Sequence, residues 1–159
     1  MTQDPWADEG NAVQLADDGD FDSATTDYLT INDLNGRLLL VWAMEKSVET
    51  GTTGPYAMIV SDVVVLDGEI SDTMRSLGYQ AVPFVSMRMH LSNKQIAEKL
   101  NSRVGNGKPL LTRVTSKPSK INRSVLAFWF SEPSEEDKSV ARAYLARPDR
   151  YRPADQFNS

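Results

Sequence analysis

Residues 81–130 read AVPFVSMRMHLSNKQIAEKLNSRVGNGKPLLTRVTSKPSKINRSVLAFWF, and this stretch decides the fold expected for the chain. Its segments 81–91, 109–115 and 124–130 are rich in apolar residues and are bounded by turn residues, which is typical of strands. Between the first two segments the apolar spacing changes to that of a helix, which we expect to end at Gly105. The stretch therefore predicts a strand, a helix and two further strands.

The helix has a recognisable start and one apolar face. Ser92 and Gln95 match a capping box, in which the serine hydroxyl and the glutamine side chain satisfy free backbone amides. Ile96, Leu100 and Val104 follow at intervals of four, so they fall on one side of a helix. We expect that side to pack against the strands.

Two more strands precede this stretch. Residues 37–48, RLLLVWAMEKSV, are rich in Leu, Val and Trp and contain no Pro or Gly, so they predict a long first strand. Residues 55–66, PYAMIVSDVVVL, predict the second strand, and the Gly/Thr-rich residues 49–54 join the two. Residues 69–80 show no clear periodicity. The chain therefore has three predicted strands before the helix and two after it.

A second helix closes the pattern at 134–146. It begins with Ser134 and Asp137 as another capping box. Strand–strand–strand–helix–strand–strand is the connectivity of an OB-fold, so we predict a mainly β, five-stranded Greek-key barrel with a helix between strands three and four and a C-terminal helix. SH3-like and other small β-barrels are the competing folds.

Charge divides the chain more sharply than its average suggests. The 159 residues hold 17 basic and 22 acidic groups, a net charge of −5. Residues 1–28 carry eight of the acids and no Lys or Arg, and we expect them to form a disordered acidic tail. The domain then spans 29–147, and 148–159 form a polar tail. Within the domain, residues 86–123 hold nine basic groups and one acid, Glu98.

This basic segment predicts contacts to nucleic-acid phosphates, because cations that neutralise phosphates release counterions. The loop between strands four and five, residues 116–123, is where an OB-fold grips an oligonucleotide. Bases of a single strand also need aromatic rings to stack on. The candidate binding residues are Arg88, Lys108, Arg113, Lys117, Lys120 and Arg123 for phosphates, and Tyr56, Trp129 and Trp42 for bases.

The three candidate rings differ in their expected direction. Alternation along strand five puts Phe128 and Phe130 inside and Trp129 outside. Tyr56 shares its side of strand two with Asp62, which is expected to face water. The side that Trp42 faces is left open by the sequence, and each ring has the alternative of lying in the core.

Composition argues against several other functions. The chain has no cysteine, and His90 is its single histidine, so thiol chemistry and multi-histidine metal sites are excluded. There is no phosphate-binding glycine loop and no zinc-protease motif. No apolar run approaches the ~18 residues of a membrane helix. We therefore expect no enzyme, no metal, no cofactor and no membrane partner.

Four spaced segments resemble a family of single-stranded-DNA-binding-like proteins from phages of actinobacteria. They are NDLNGRLLLVW at 32–42, VVVLDG at 63–68, RVGNGKPLLTRV at 103–114 and SEPSEEDKSVARAYLA at 131–146. The resemblance covers roughly residues 31–146. Where the family tends to have a glycine-rich loop after strand four, this chain has SKPSKINR.

The resemblance implies an OB-fold that binds single-stranded DNA in phage DNA replication or recombination, within the cytoplasm of a bacterial host. Its partners would be single-stranded DNA and replication or recombination proteins, and its oligomeric state stays open, a homo-oligomer included. The alternative function is an OB-like adaptor whose basic face binds an acidic protein. The acidic tail is expected either to compete with phosphate for the basic surface or to act only as a solubilising segment.

Overall fold

A computed structural model describes residues 28–52, 54–120 and 126–153. Over these residues the chain forms five strands and three α-helices, preceded by one turn of 3-10 helix at Ile31–Leu34. In chain order the elements are β1 Leu38–Gly51, β2 Gly54–Val65, α1 Asp72–Ser76, β3 Phe84–Leu91, α2 Lys94–Asn101, β4 Leu110–Pro118, β5 Leu126–Ser131 and α3 Glu135–Leu145.

The strands form one antiparallel sheet with the order β3-β2-β1-β4-β5. All four neighbouring pairs are antiparallel, and β3 and β5 are its edges. The architecture is consistent with a barrel-like fold. The five predicted strands, the helix between β3 and β4, and the C-terminal helix are confirmed. The short helix α1 was not predicted, because five residues give too little periodicity to recognise.

β1 is central and is buried on both faces, which explains its unbroken apolar run. Leu39 and Val41 belong to the main core, together with side chains of β2, α2 and β5. Leu38, Leu40 and Trp42 face the other way and pack with Ala141 and Tyr144 of α3. Alternate residues of a strand point to opposite faces, so a strand covered on both sides has few polar positions.

α2 covers the main core with the predicted apolar face. Ile96, Ala97 and Leu100 are buried there. The predicted capping box is wrong: the N-cap is Asn93, which makes no side-chain cap hydrogen bond, and Ser92 lies outside the helix. The regular helix ends at Asn101, four residues before the expected Gly105, although Gly105 donates its backbone N–H to Ala43 O at 3.0 Å.

α3 begins as predicted. Ser134 accepts a hydrogen bond from the backbone N–H of Asp137, and the Asp137 carboxylate accepts one from the N–H of Ser134. The packed chain continues past residue 147, since the Tyr151 ring meets Trp42 edge-to-face at a centroid distance of 5.5 Å. None of the helices within the described ranges is long and apolar enough to span a membrane.

Candidate nucleic-acid interface

An open cleft of about 850 Å³, here called the Trp129 cleft, lies between α2 and the β4–β5 hairpin. One wall is the exposed side of α2, and the other is the end of the hairpin. It is lined by Gln95, Glu98, Lys99, Lys117, Pro118, Ser119, Lys120, Ala127, Trp129 and Phe130. Three lysines and one tryptophan thus share a single concave surface.

Strand pairing places a cation beside the ring in this cleft. Phe128 and Phe130 point into the core, so Trp129 points out, as predicted. Trp129 pairs with Thr115 of β4, and Lys117 lies two residues further along that strand, in the diagonal position where long side chains meet. The ammonium of Lys117 is 4.9 Å from the centroid of the Trp129 ring, within the range of a cation–π interaction.

A second cleft, here called the Tyr56 cleft, lies on the other side of α2 against the β1–β2 hairpin. Its volume is about 460 Å³, and it is lined by Lys46, Pro55, Tyr56, Ala57, Ser92, Lys94, Ala97, Glu98 and Asn101. The Tyr56 side chain is exposed, as predicted, with 43% of its surface accessible. Its ring lies close over Gly51, where a β-carbon would be only 3.1 Å from Cε1. The glycine therefore makes room for the ring.

The two clefts meet at α2 and form one basic surface. Lys46 and Lys94 line the Tyr56 cleft, while Lys99, Lys117 and Lys120 line the Trp129 cleft. Glu98 lines both. A ring at each end, five lysines and one carboxylate match the chemistry of a surface that takes bases by stacking and phosphates by charge.

Arg113, a predicted phosphate contact, instead has an internal role. Its guanidinium contacts Asp67 at 3.0 Å and Asp137 at 2.6 Å, and it donates to Gly36 O at 2.8 Å. These contacts tie the start of α3 to the sheet. The hydrogen bond from Arg113, followed by the one from the Ser134 backbone, lowers the pKa of Asp137. With its donors committed to the protein, Arg113 is not part of either cleft.

Arg88 also lies away from the clefts, at a bulge in β3. Two residues of β3, Met87 and Arg88, stand opposite Asp62 of β2. Arg88 has a φ of +56°, and its backbone N–H donates to Asp62 Oδ1 at 2.9 Å. Its side chain reaches Glu45 at 3.4 Å in an exposed ion pair. The bulge, rather than a ligand, accounts for the backbone at this residue.

Trp42 does not present a ring face to solvent, because only 2% of its surface is accessible. Tyr151 covers it and donates a hydrogen bond to Asp62 Oδ2. The expectation that Asp62 faces water is therefore wrong, as it is 3% exposed. Burial, then the hydrogen bond to Asp62, raises the pKa of Tyr151 above the ordinary tyrosine range. Tyr151, which belongs to the segment predicted to be a polar tail, is therefore packed on this face.

The remaining predicted binding residues lie in different parts of the molecule. Lys108 is exposed in the turn before β4 and lines neither cleft, while Lys117 and Lys120 lie together in the Trp129 cleft. Arg123 lies outside the described residues, as does most of the acidic segment 1–28. Among the described residues, no group of three or more His, Asp or Glu side chains is placed to hold a metal ion.

Sequence reasoning missed the contribution of α2. Lys94, Glu98 and Lys99 lie on the exposed part of the helix, whereas Ile96 and Leu100 are buried. The predicted apolar face already implied this charged side, so a helical projection could have found it. Lys46 could not be found in this way, because only the pairing of β1 with β2 brings it near α2.

Comparison of the chain with models of known protein families, with curated proteins and with solved structures found no match. The two clefts are therefore the features of the chain that bear on its function.

Proposed function

We propose that this chain is a non-catalytic, single-stranded DNA-binding protein with an OB-fold. The observation that carries the proposal is the pair Trp129 and Lys117 in an open cleft with Lys99 and Lys120. A base that stacks on an exposed ring contributes about 1–3 kcal/mol, and the stacking tolerates any base because each has a π-face. Adjacent lysines add a phosphate attraction that does not depend on sequence.

The arrangement of the sheet supports the OB-fold part of the proposal. The strand order β3-β2-β1-β4-β5, with a helix between β3 and β4 in the chain, fits that fold. In OB-folds the loops joining strands one–two and four–five help to bind oligonucleotides. Here the β1–β2 hairpin forms a wall of the Tyr56 cleft, and the β4–β5 hairpin forms a wall of the Trp129 cleft.

The surfaces that are already covered within the protein limit the path of a bound DNA strand. α3 and Tyr151 cover the face of β1 and β2 that holds Trp42 and Val64. A strand of DNA would therefore cross α2 between the two hairpins instead of lying on that face. A role in phage DNA replication or recombination agrees with the resemblance noted above and belongs to the same proposal.

Replacement of Trp129 tests the proposal. We expect the full chain to bind fluorescently labelled oligo-dT at low salt, and Trp129→Ala to weaken that binding by about tenfold or more, the equivalent of one lost stacking contact. Fluorescence anisotropy measures the affinity, and urea unfolding shows whether the variant remains as stable as the parent.

Two results would contradict the proposal. One is the absence of oligo-dT binding by the full chain at low salt. The other is a Trp129→Ala variant that binds as tightly as the parent. Trp42→Phe is the matched control: it changes a buried ring in the α3 contact, so it is expected to alter stability while the folded protein keeps its affinity.

A further inference from the structure

Glu98 stands out in the basic surface because, among the described residues, it is the one acid that lines either cleft. It lies on α2, between the ring of Tyr56 on one side and that of Trp129 on the other. Within the described residues its carboxylate makes no ion pair with the lysines around it. An exposed carboxylate at this position repels phosphate. Attraction to the DNA backbone therefore does not explain why an acid is present there.

The charges around α2 attract the phosphates of a bound strand to some positions and repel them from others. Phosphates are attracted to Lys99, Lys117 and Lys120 and repelled by Glu98. The edge of a base that crosses α2 from one cleft to the other would therefore face Glu98, with the sugar-phosphate turned away. A carboxylate only accepts hydrogen bonds, and its two oxygens can accept from two adjacent donors at once.

The bases of a single strand differ in what they offer to such an acceptor, since their Watson–Crick edges are free. Guanine presents two adjacent donors, N1–H and the N2 amino group. Cytosine and adenine present one amino group beside a ring nitrogen acceptor. Thymine presents one N–H between two carbonyl oxygens, which repel a carboxylate.

We propose that Glu98 reads a base in the strand crossing α2 and gives the protein a preference for guanine over thymine at that position. This inference rests on the proposed function, because it assumes that the strand runs from the Tyr56 cleft to the Trp129 cleft. It adds a specificity-determining residue to a surface that otherwise binds any sequence.

The test compares an oligo-dT strand with the same strand carrying one central dG. We expect the full chain to bind the dG-containing strand about tenfold more tightly, as one bidentate pair to a base provides. Glu98→Gln keeps the size of the side chain but replaces one acceptor oxygen by a donor amide. This variant should lose the preference, and its urea midpoint, compared with that of the parent, shows that it is folded.

Glu136→Gln is the control, since it removes the same charge from an exposed position of α3 outside both clefts. It should keep the preference. Equal binding of the two strands by the parent would overturn the inference, and so would a preference that survives in Glu98→Gln. Both results leave the proposed function intact, whereas loss of binding to every strand would overturn the proposed function itself.

Discussion

Arg88 forms part of a bulge in the backbone, although its positive charge suggests a role in phosphate binding. Its side chain was expected to meet phosphate, yet it is placed at a bulge, outside both clefts. The left-handed backbone costs a residue with a β-carbon about 1–2 kcal/mol, and glycine avoids this cost. Asp62 accepts its N–H whatever the side chain is.

Arg88→Gly should therefore be more stable than Arg88→Ala by on the order of 1 kcal/mol, in contrast to most exposed strand positions. Urea unfolding of the two variants measures the difference. Both should bind oligo-dT like the parent. An alanine variant as stable as the glycine variant would refute the bulge explanation, and a shared loss of affinity would place Arg88 in the interface.

For single residues, the alternation of polar and apolar positions predicts which face of the sheet a side chain points to. It fails where another part of the chain covers the strand. Trp129 faces out because its neighbours Phe128 and Phe130 are core residues. Asp62 lies on the side of β2 that alternation assigned to solvent, but Tyr151 covers that side from a segment almost ninety residues away in the chain. No local pattern carries that information.

α3 is attached to the sheet chiefly through apolar packing and the contacts of Arg113. Ala141 and Tyr144 pack on the face of β1 that holds Trp42, and Arg113 links Asp67 to Asp137 in the first turn of the helix. The capping box could be predicted from four consecutive residues. The Arg113 contacts could not, because they join β4 to residues that are distant in the sequence.

The lowered pKa of Asp137 makes this attachment sensitive to acid. The folded chain holds the carboxylate charged more strongly than the unfolded chain does. The resulting stability is present above the ordinary aspartate pKa of about 3.9 and is lost as the pH falls through the lower pKa of the folded state.

Asp137→Asn should consequently lower the free energy of unfolding by on the order of 1 kcal/mol near neutral pH, a modest value because Arg113 is partly exposed. The difference between parent and variant should shrink as the pH is lowered through the acid range. Urea midpoints along a pH series measure it. A difference that stays constant or grows toward acid would show that the ion pair is not the cause.

Over the whole chain, the negative and the positive net charge lie in different segments. Residues 1–28 hold eight acids and no base, and the rest of the chain has 17 basic and 14 acidic groups, a net charge of +3. Because the acidic segment is tethered to the same chain, we expect its carboxylates to reach the basic surface at a high effective concentration and to compete with phosphates.

Removal of residues 1–28 is therefore expected to raise the affinity for oligo-dT, most strongly at low salt, where screening is least. The truncation keeps Leu29, which is buried in the core. Anisotropy titrations of both chains at two salt concentrations measure the effect. Equal affinities at low salt would leave the acidic segment without a competing role.

At the scale of the fold, the order of the elements could be predicted because each strand and helix has its own local signal. The site could be predicted only in part. Lys117, Lys120, Tyr56 and Trp129 were found from charge and alternation, but the role of α2 between two clefts depends on how the hairpins pack around it. Distances between elements are a property of the packed molecule.

The most direct test of the central claim is the salt dependence of oligo-dT binding. It compares the parent with Lys99→Ala, Lys117→Ala and Lys120→Ala combined. The control removes three cations that form exposed ion pairs outside both clefts, Arg75, Lys138 and Arg147. The two variants have the same net charge, so only the position of the lost charges differs.

Each lost phosphate contact reduces the slope of log affinity against log salt by about 0.7, so the cleft variant should lose about 2 in slope and bind more weakly at low salt. The control variant should keep the slope of the parent. Equal slopes in the parent and the cleft variant, or an equal loss in both variants, would contradict a DNA-binding surface built around α2.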